Sequence, residues 1–156
     1  VASIVASHFD PEWVLNIKET GEVWFVNYSD PDSPVIKTLE AGRFLHDGGW
    51  DSTKRYFLVP PNARNKIAVM DAKEKKLTVL IETGVLQPHP GGGANWVDPE
   101  FGPVWASGHV GDSVVSVIGT DPVDRPDSAW KMVRKIKSLR SGNLFIKTRP
   151  NCLWVW

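Results

Sequence analysis

The chain has 156 residues, 42% of them hydrophobic and 23% charged, with 18 basic and 18 acidic side chains and a formal charge of zero. That is the composition of one globular unit without the electrostatic footprint of a phosphate-backbone binder, and no apolar run approaches the roughly 20 residues that cross a bilayer. Neither nucleic acid nor a membrane is an expected partner. The single cysteine, Cys152, excludes an internal disulfide framework, a thiolate zinc site and a Cys-x-x-Cys-His attachment site for c-type haem.

Eight Trp, 13 Gly and 12 Pro give many bulky anchors separated by many chain reversals, which favours short strands. In chain order, a hairpin is expected over 13–28 (WVLNIKETGEVWFVNY), then a strand over 34–41 (PVIKTLEA). A second hairpin over 48–59 is followed by KIAVMD (66–71), a charged AKEKK turn and LTVLIET (77–83), a four-stranded meander. A third hairpin over 94–107 is followed by SVVSVIGT (113–120) and WKMVRKI (130–136). The stretch 128–138 also shows Trp130, Val133 and Ile136 near helical spacing, so a helix competes with an outer strand there. A fourth hairpin is expected over 144–156, and loops over 29–33, 84–93 and 121–127, each dense in Pro, Gly and Asp.

With the start of each hairpin's second strand as the ruler, Val23, Tyr56, Val104 and Leu153 recur at an irregular spacing that brackets the roughly 40 to 50 residues of a propeller blade. Four antiparallel strands joined by short turns and repeated radially make a β-propeller. The expectation is an all-β chain holding about three to four blades of a larger ring, the first blade short by a strand. Closed propellers have about four to eight blades, so residues 1–156 read as a fragment. A start at Val1 without methionine, and an end on Leu153-Trp154-Val155-Trp156 in what reads as mid-strand, agree.

Four histidines are the candidates for chemistry. His46 precedes Gly48-Gly49-Trp50 and His89 precedes Gly91-Gly92-Gly93, so each stands just before the first strand of consecutive blades. First strands line the central channel, so two imidazoles would meet at its mouth, with glycines leaving room for a flat ligand. Such a pair suits proton delivery to a bound anion, and equally supplies two donors to a metal. The competing reading is that each histidine only pins blade to blade. His8 lacks the glycines and reads as structural, and His109 reads as hydrogen-bonded to Asp112 or a neighbouring turn. Trp13, Trp24, Trp105 and Trp154 read as strand residues packed between blades.

The segments NIKETGEVWFVNY, RFLHDGGWD, the His89-Pro90-Gly91 turn with Gly93-Ala94-Asn95, FGPVWAS and the run 117–122 resemble the d1-haem domain of dissimilatory cytochrome cd1 nitrite reductases. The resemblance runs through essentially the whole chain. It implies part of an eight-bladed propeller in a periplasmic homodimer that carries haem d1 and receives electrons from a c-type haem domain absent from this chain. It further implies a small electron-donor protein, cytochrome c or cupredoxin, and one-electron reduction of nitrite to nitric oxide. By the same resemblance, the LHDGG and HPG histidines, His46 and His89, face nitrite on the distal side, and Gly91, Gly93 and Asn95 adjoin the cofactor. The proximal iron ligand lies outside the chain, so no residue here is a metal ligand by resemblance. The family pattern has arginine where Gly92 stands, histidine where Arg149 stands and aspartate where Trp156 stands. A related haem d1 maturation protein, and a propeller that only binds a partner, are the rival readings.

Overall fold

A computed structural model describes residues 1–61, 65–84, 87–149 and 151–156, and the described residues form three four-stranded antiparallel sheets and no helix. The first is β1 (Ser3–Ala6), β2 (Glu12–Ile17), β3 (Glu22–Asn27) and β4 (Val35–Glu40), in that spatial order. The second is β5 (Gly49–Trp50), β6 (Tyr56–Val59), β7 (Lys66–Asp71) and β8 (Lys76–Glu82). The third is β9 (Pro88–Asp98), β10 (Gly102–His109), β11 (Val114–Gly119) and β12 (Met132–Lys137). Each sheet is an uninterrupted meander, the blade of a partial propeller.

Alternation sets which faces meet. Along β2 and β3, Val14, Val23 and Phe25 turn inward and pack with Phe57, Val59, Ala68 and Met70 of the second blade. The opposite face of the second blade presents Leu58, Ile67 and Val69 to Trp105 and Ile118 of the third. Both faces of the middle blade are therefore covered, which is why β6 and β7 read as nearly unbroken apolar runs. Charge also joins blades: Lys75, in the turn before β8, meets the buried Glu12 of β2, Nζ to Oε2 2.5 Å.

Several expectations are corrected. The first blade is complete, because β1, which the sequence reading left unassigned, pairs Ser3 with Asn16 through Ala6 with Trp13. Val23 therefore belongs to a third strand. The equivalent second strands start at Glu12, Tyr56 and Gly102, an even repeat, and His8 lies between a first and a second strand. The helix alternative over 128–138 gives way to β12, whose Val114–Lys137 to Ile118–Met132 register covers the edge of β11. The 84–93 loop is shorter than expected because β9 begins at Pro88; its residues 85 and 86 lie outside the described residues.

Among the described residues of 144–156, where a hairpin was expected, there is no strand. One reciprocal backbone pair, Lys147 with Trp156 at 2.8 and 2.9 Å, closes the segment. Ile146 is buried in a cluster with Ala94, Val104, Ala106 and Val117 of the third blade, whereas Phe145, Leu153, Trp154 and Trp156 are exposed. Trp154 is thus neither on a strand nor between blades, and Trp13 is also exposed; Trp105 is fully buried between blades.

At the far end of β9, Asp98 accepts from the backbone N–H groups of Glu100 and Phe101 at 2.9 and 3.1 Å and from Arg134 Nε at 2.7 Å. The hydrogen bond from Arg134 holds the Asp98 carboxyl well below the usual carboxylate range, against the opposing cost of desolvation. A depressed folded pKa stabilises at all pH values above the unfolded value and is lost as pH falls through the folded one. Asp98→Asn should therefore lower the denaturant midpoint at neutral pH, with the gap to wild type closing only in strong acid.

Candidate functional site at the meeting of two inner strands

Leu45 is buried, bridges Pro61, and fixes the chain just before β5. The buried Asn16 of β2 donates from Nδ2 to the His46 carbonyl at 3.3 Å and to Ser3 Oγ at 2.8 Å, tying the segment to the first blade. His89 is the second residue of β9 and lies opposite Gly108 of β10. It thus lies inside the inner strand, which a register shift between Ala106 and Gly108 allows to continue past three glycines of positive φ.

The two imidazoles do meet: their ring centroids are 4.9 Å apart at 42°. His46 is half exposed, whereas the His89 side chain is only 13% exposed. Between them stands Asp47, with Oδ1 3.7 Å from His46 Nδ1 and 3.8 Å from His89 Nδ1. That oxygen is buried and makes no hydrogen bond among the described residues. His89 Nδ1 lies 3.1 Å from the Leu144 carbonyl. A carbonyl only accepts, so this contact places a proton on Nδ1 and leaves Nε2 for a ligand. Asp47 is the residue the sequence reading missed, although its signal, a carboxylate adjoining the histidine of the LHDGG motif, was in view.

The glycines serve a different purpose from the one expected. A Cβ on Gly49 would lie 1.7 Å from the Gly92 carbonyl, one on Gly93 2.2 Å from Trp105 Nε1, and one on Gly91 2.4 Å from the Leu144 carbonyl. They let the inner strands approach each other and the 144–156 segment, rather than hold a space open. Beside this contact is a cleft of about 910 Å³, lined by Gly93, Asn95, Trp50, Lys54, Lys147 and Arg149 among others, with no carboxylate among its described lining residues. Asn95 donates from Nδ2 to the Trp50 carbonyl at 2.9 Å and leaves its buried Oδ1 without a protein partner. Gly91 lies behind, against Leu144 and Phe145.

The remaining histidines stand apart. His109 is buried, and its Nε2 lies 2.8 Å from Ser116 Oγ on β11. His8 is exposed and meets the Trp50 ring edge-on at 5.8 Å.

Gly92 has φ +92°, and its Cβ would lie 2.8 Å from Lys147 Nζ, itself bonded to the Gly91 carbonyl. An arginine there is not neutral for the fold, because a side chain in the left-handed region costs about 1–2 kcal/mol. Gly92→Arg should lower stability by about that amount, read from a denaturant midpoint.

The description of one family, the cytochrome D1 heme domain, matches residues 1–156. A nitrite reductase of Stutzerimonas stutzeri is 51% identical over 161 residues, covering 100% of this chain and 29% of that protein. Among solved structures, dihydro-heme d1 dehydrogenase NirN in complex with DHE matches with a TM-score of 0.72 at 22% identity, over 93% of this chain and 29% of that one. Kuenenia stuttgartiensis hydrazine synthase matches with a TM-score of 0.70 at 15% identity, over 95% of this chain and 38% of that one. At those identities the two structures show a shared fold. The family match over the full chain and the 51% identity show more: the chain belongs to the cytochrome D1 heme domain family.

Proposed function

We propose that the protein to which this chain belongs reduces nitrite to nitric oxide with haem d1. The observation that carries the reading is the pair of imidazoles, 4.9 Å apart, in a chain 51% identical to a nitrite reductase; Gly48 and Gly92, near them in sequence, line a cleft that also carries Lys54, Lys147 and Arg149. The residues present fit a flat tetrapyrrole with acidic groups: Lys54, Lys147 and Arg149 offer positive charge, Trp50 offers an apolar face, and Asn95 Oδ1 is a buried acceptor without a protein partner. Gly93 and Asn95 would adjoin the cofactor directly, and Gly91 would act by letting the Leu144 carbonyl reach His89.

Haem d1, when bound, supplies an iron that takes nitrite and one electron. The chain's own residues then provide the rest. Nitrite, one electron and two protons give nitric oxide and water, so the site must hold an anion and deliver protons to one of its oxygens. His89, oriented by Leu144, presents Nε2, and His46, half exposed, can exchange protons with solvent. As imidazolium groups, both stabilise the anion and the charge that develops on the leaving oxygen. A c-type haem domain, a small electron donor of the cytochrome c or cupredoxin kind, a homodimer and a periplasmic location complete the proposal.

The likeness to a haem d1 dehydrogenase fold supports a second reading, a role in cofactor maturation. The full-length protein should show a d1-type absorbance and release nitric oxide from nitrite with a reduced donor. A d1 spectrum without nitric oxide would favour maturation. The absence of any d1 spectrum after reconstitution would leave a binding propeller.

A further inference from the structure

Alternation along β2 turns Glu12, Val14 and Asn16 to the face that meets the second blade, and all three are buried. Two of them meet it in ordinary ways. Val14 packs in an apolar cluster with Phe57 and Val59, and Glu12 pairs with Lys75. Asn16 is the exception, an uncharged amide with no exposed surface where the strand pattern calls for an apolar side chain. Its Nδ2 donates to Ser3 Oγ, on the residue that pairs with it across β1, and to the His46 carbonyl, in the segment that enters the second blade. We propose that Asn16 is a positioning residue, which sets the placement of His46 from the neighbouring blade.

Elementary chemistry fixes which way the amide points. A carbonyl only accepts, so the nitrogen must face His46, and the two N–H groups are divided between the two partners. Oδ1 is then left buried, without a hydrogen bond among the described residues. An unmet buried acceptor costs stability that an apolar residue would not, so the amide's contribution lies in what its N–H groups hold. His46 needs such a hold. Its side chain is half exposed, and its 3.7 Å approach to Asp47 is longer than a hydrogen bond. The ring is therefore placed through its backbone, between Leu45, which is buried and bridged to Pro61, and Asn16. His89 is oriented by a different group, the Leu144 carbonyl, so Asn16 acts on one imidazole of the pair. This role rests on His46 acting as a proton donor to nitrite. Misplacing a reacting group by 1 Å costs about 10²-fold in rate, and a segment loosened by one hydrogen bond should lose less.

The test uses the full-length holoenzyme. Asn16→Leu keeps much of the volume and removes both N–H groups. Nitric oxide release should fall by roughly tenfold with the d1 absorbance unchanged, a loss on the scale of one hydrogen bond. Amide hydrogen exchange read by mass spectrometry should quicken over residues 43–50 and stay as in wild type over β9. Double-mutant cycles then separate positioning from general support of the fold. The substitution should cost as much in a His89→Ala background as in wild type and nothing further in a His46→Ala background. Should Asn16→Leu not fold, Asn16→Ser, too short to span both partners, replaces it. An equal further loss in the His46→Ala background, or unchanged exchange over 43–50, would overturn the role. So would unchanged turnover in Asn16→Leu where His46→Ala lowers it. Turnover insensitive to both substitutions, with exchange quickened over 43–50 alone, would support the anchor and overturn the acid role of His46 instead.

Discussion

Replacing His46 or His89 by alanine in the full-length protein is expected to lower nitrite turnover by roughly 10²-fold or more while haem d1 stays bound. General acids contribute about 10² to 10⁴ in rate. Two rings 4.9 Å apart at one end of adjoining inner strands can act on a single anion. The two variants should differ in their side effects. His46 is half exposed and its anchoring interactions come from its backbone, so its side chain can be removed with little cost to the fold. His89 is nearly buried and touches the 144–156 segment through Leu144, so its loss should also loosen that segment. Steady-state nitric oxide release, with the d1 absorbance as the measure of occupancy, reads both. Unchanged turnover in either variant would remove that residue from the mechanism, and loss of the d1 spectrum would make it structural.

The second large effect is expected from Trp105→Ala, which should cost about 3–5 kcal/mol, a large part of the 5–15 kcal/mol of a typical domain. Trp105 is fully buried and packs with Leu58, Ile67, Val69 and Ile81 of the middle blade. It also forms the floor under the inner strands, since Cβ atoms on Gly93 and Gly49 would lie 2.2 and 3.2 Å from its Nε1. Its removal leaves a cavity where β5 and β9 meet, so the spacing of His46 and His89 should fail together with stability. Trp105→Phe separates the two contributions. It restores most of the volume and removes an indole N–H that is buried without a hydrogen-bond partner, so it should cost far less than alanine. A denaturant series on wild type and both variants measures this; equal losses for Phe and Ala would mean that packing volume is not what Trp105 contributes.

What the sequence determined by itself were features carried by local chemistry. Alternating apolar residues and Gly, Pro and Asp turns marked β2, β3, β6 to β8, β10 and β11, because strand periodicity and turn preferences act over a few residues. Equivalent positions before Gly48 and Gly91 were enough to pair His46 with His89, since a repeat carries equivalent residues to equivalent places. The tertiary structure decided the rest. β1 is four residues long and gains its identity only by pairing with β2, so the phase of the first blade was illegible along the chain. A glycine that opens space and one that lets two backbones touch are identical in sequence; only the Gly92 carbonyl against Gly49 and Trp105 against Gly93 separate them. Likewise, Asp47 is an ordinary turn carboxylate until strands from two blades bring both imidazoles to its buried oxygen. That meeting joins residues far apart in the chain, and the close packing of the inner strands, rather than any local propensity, sets its geometry.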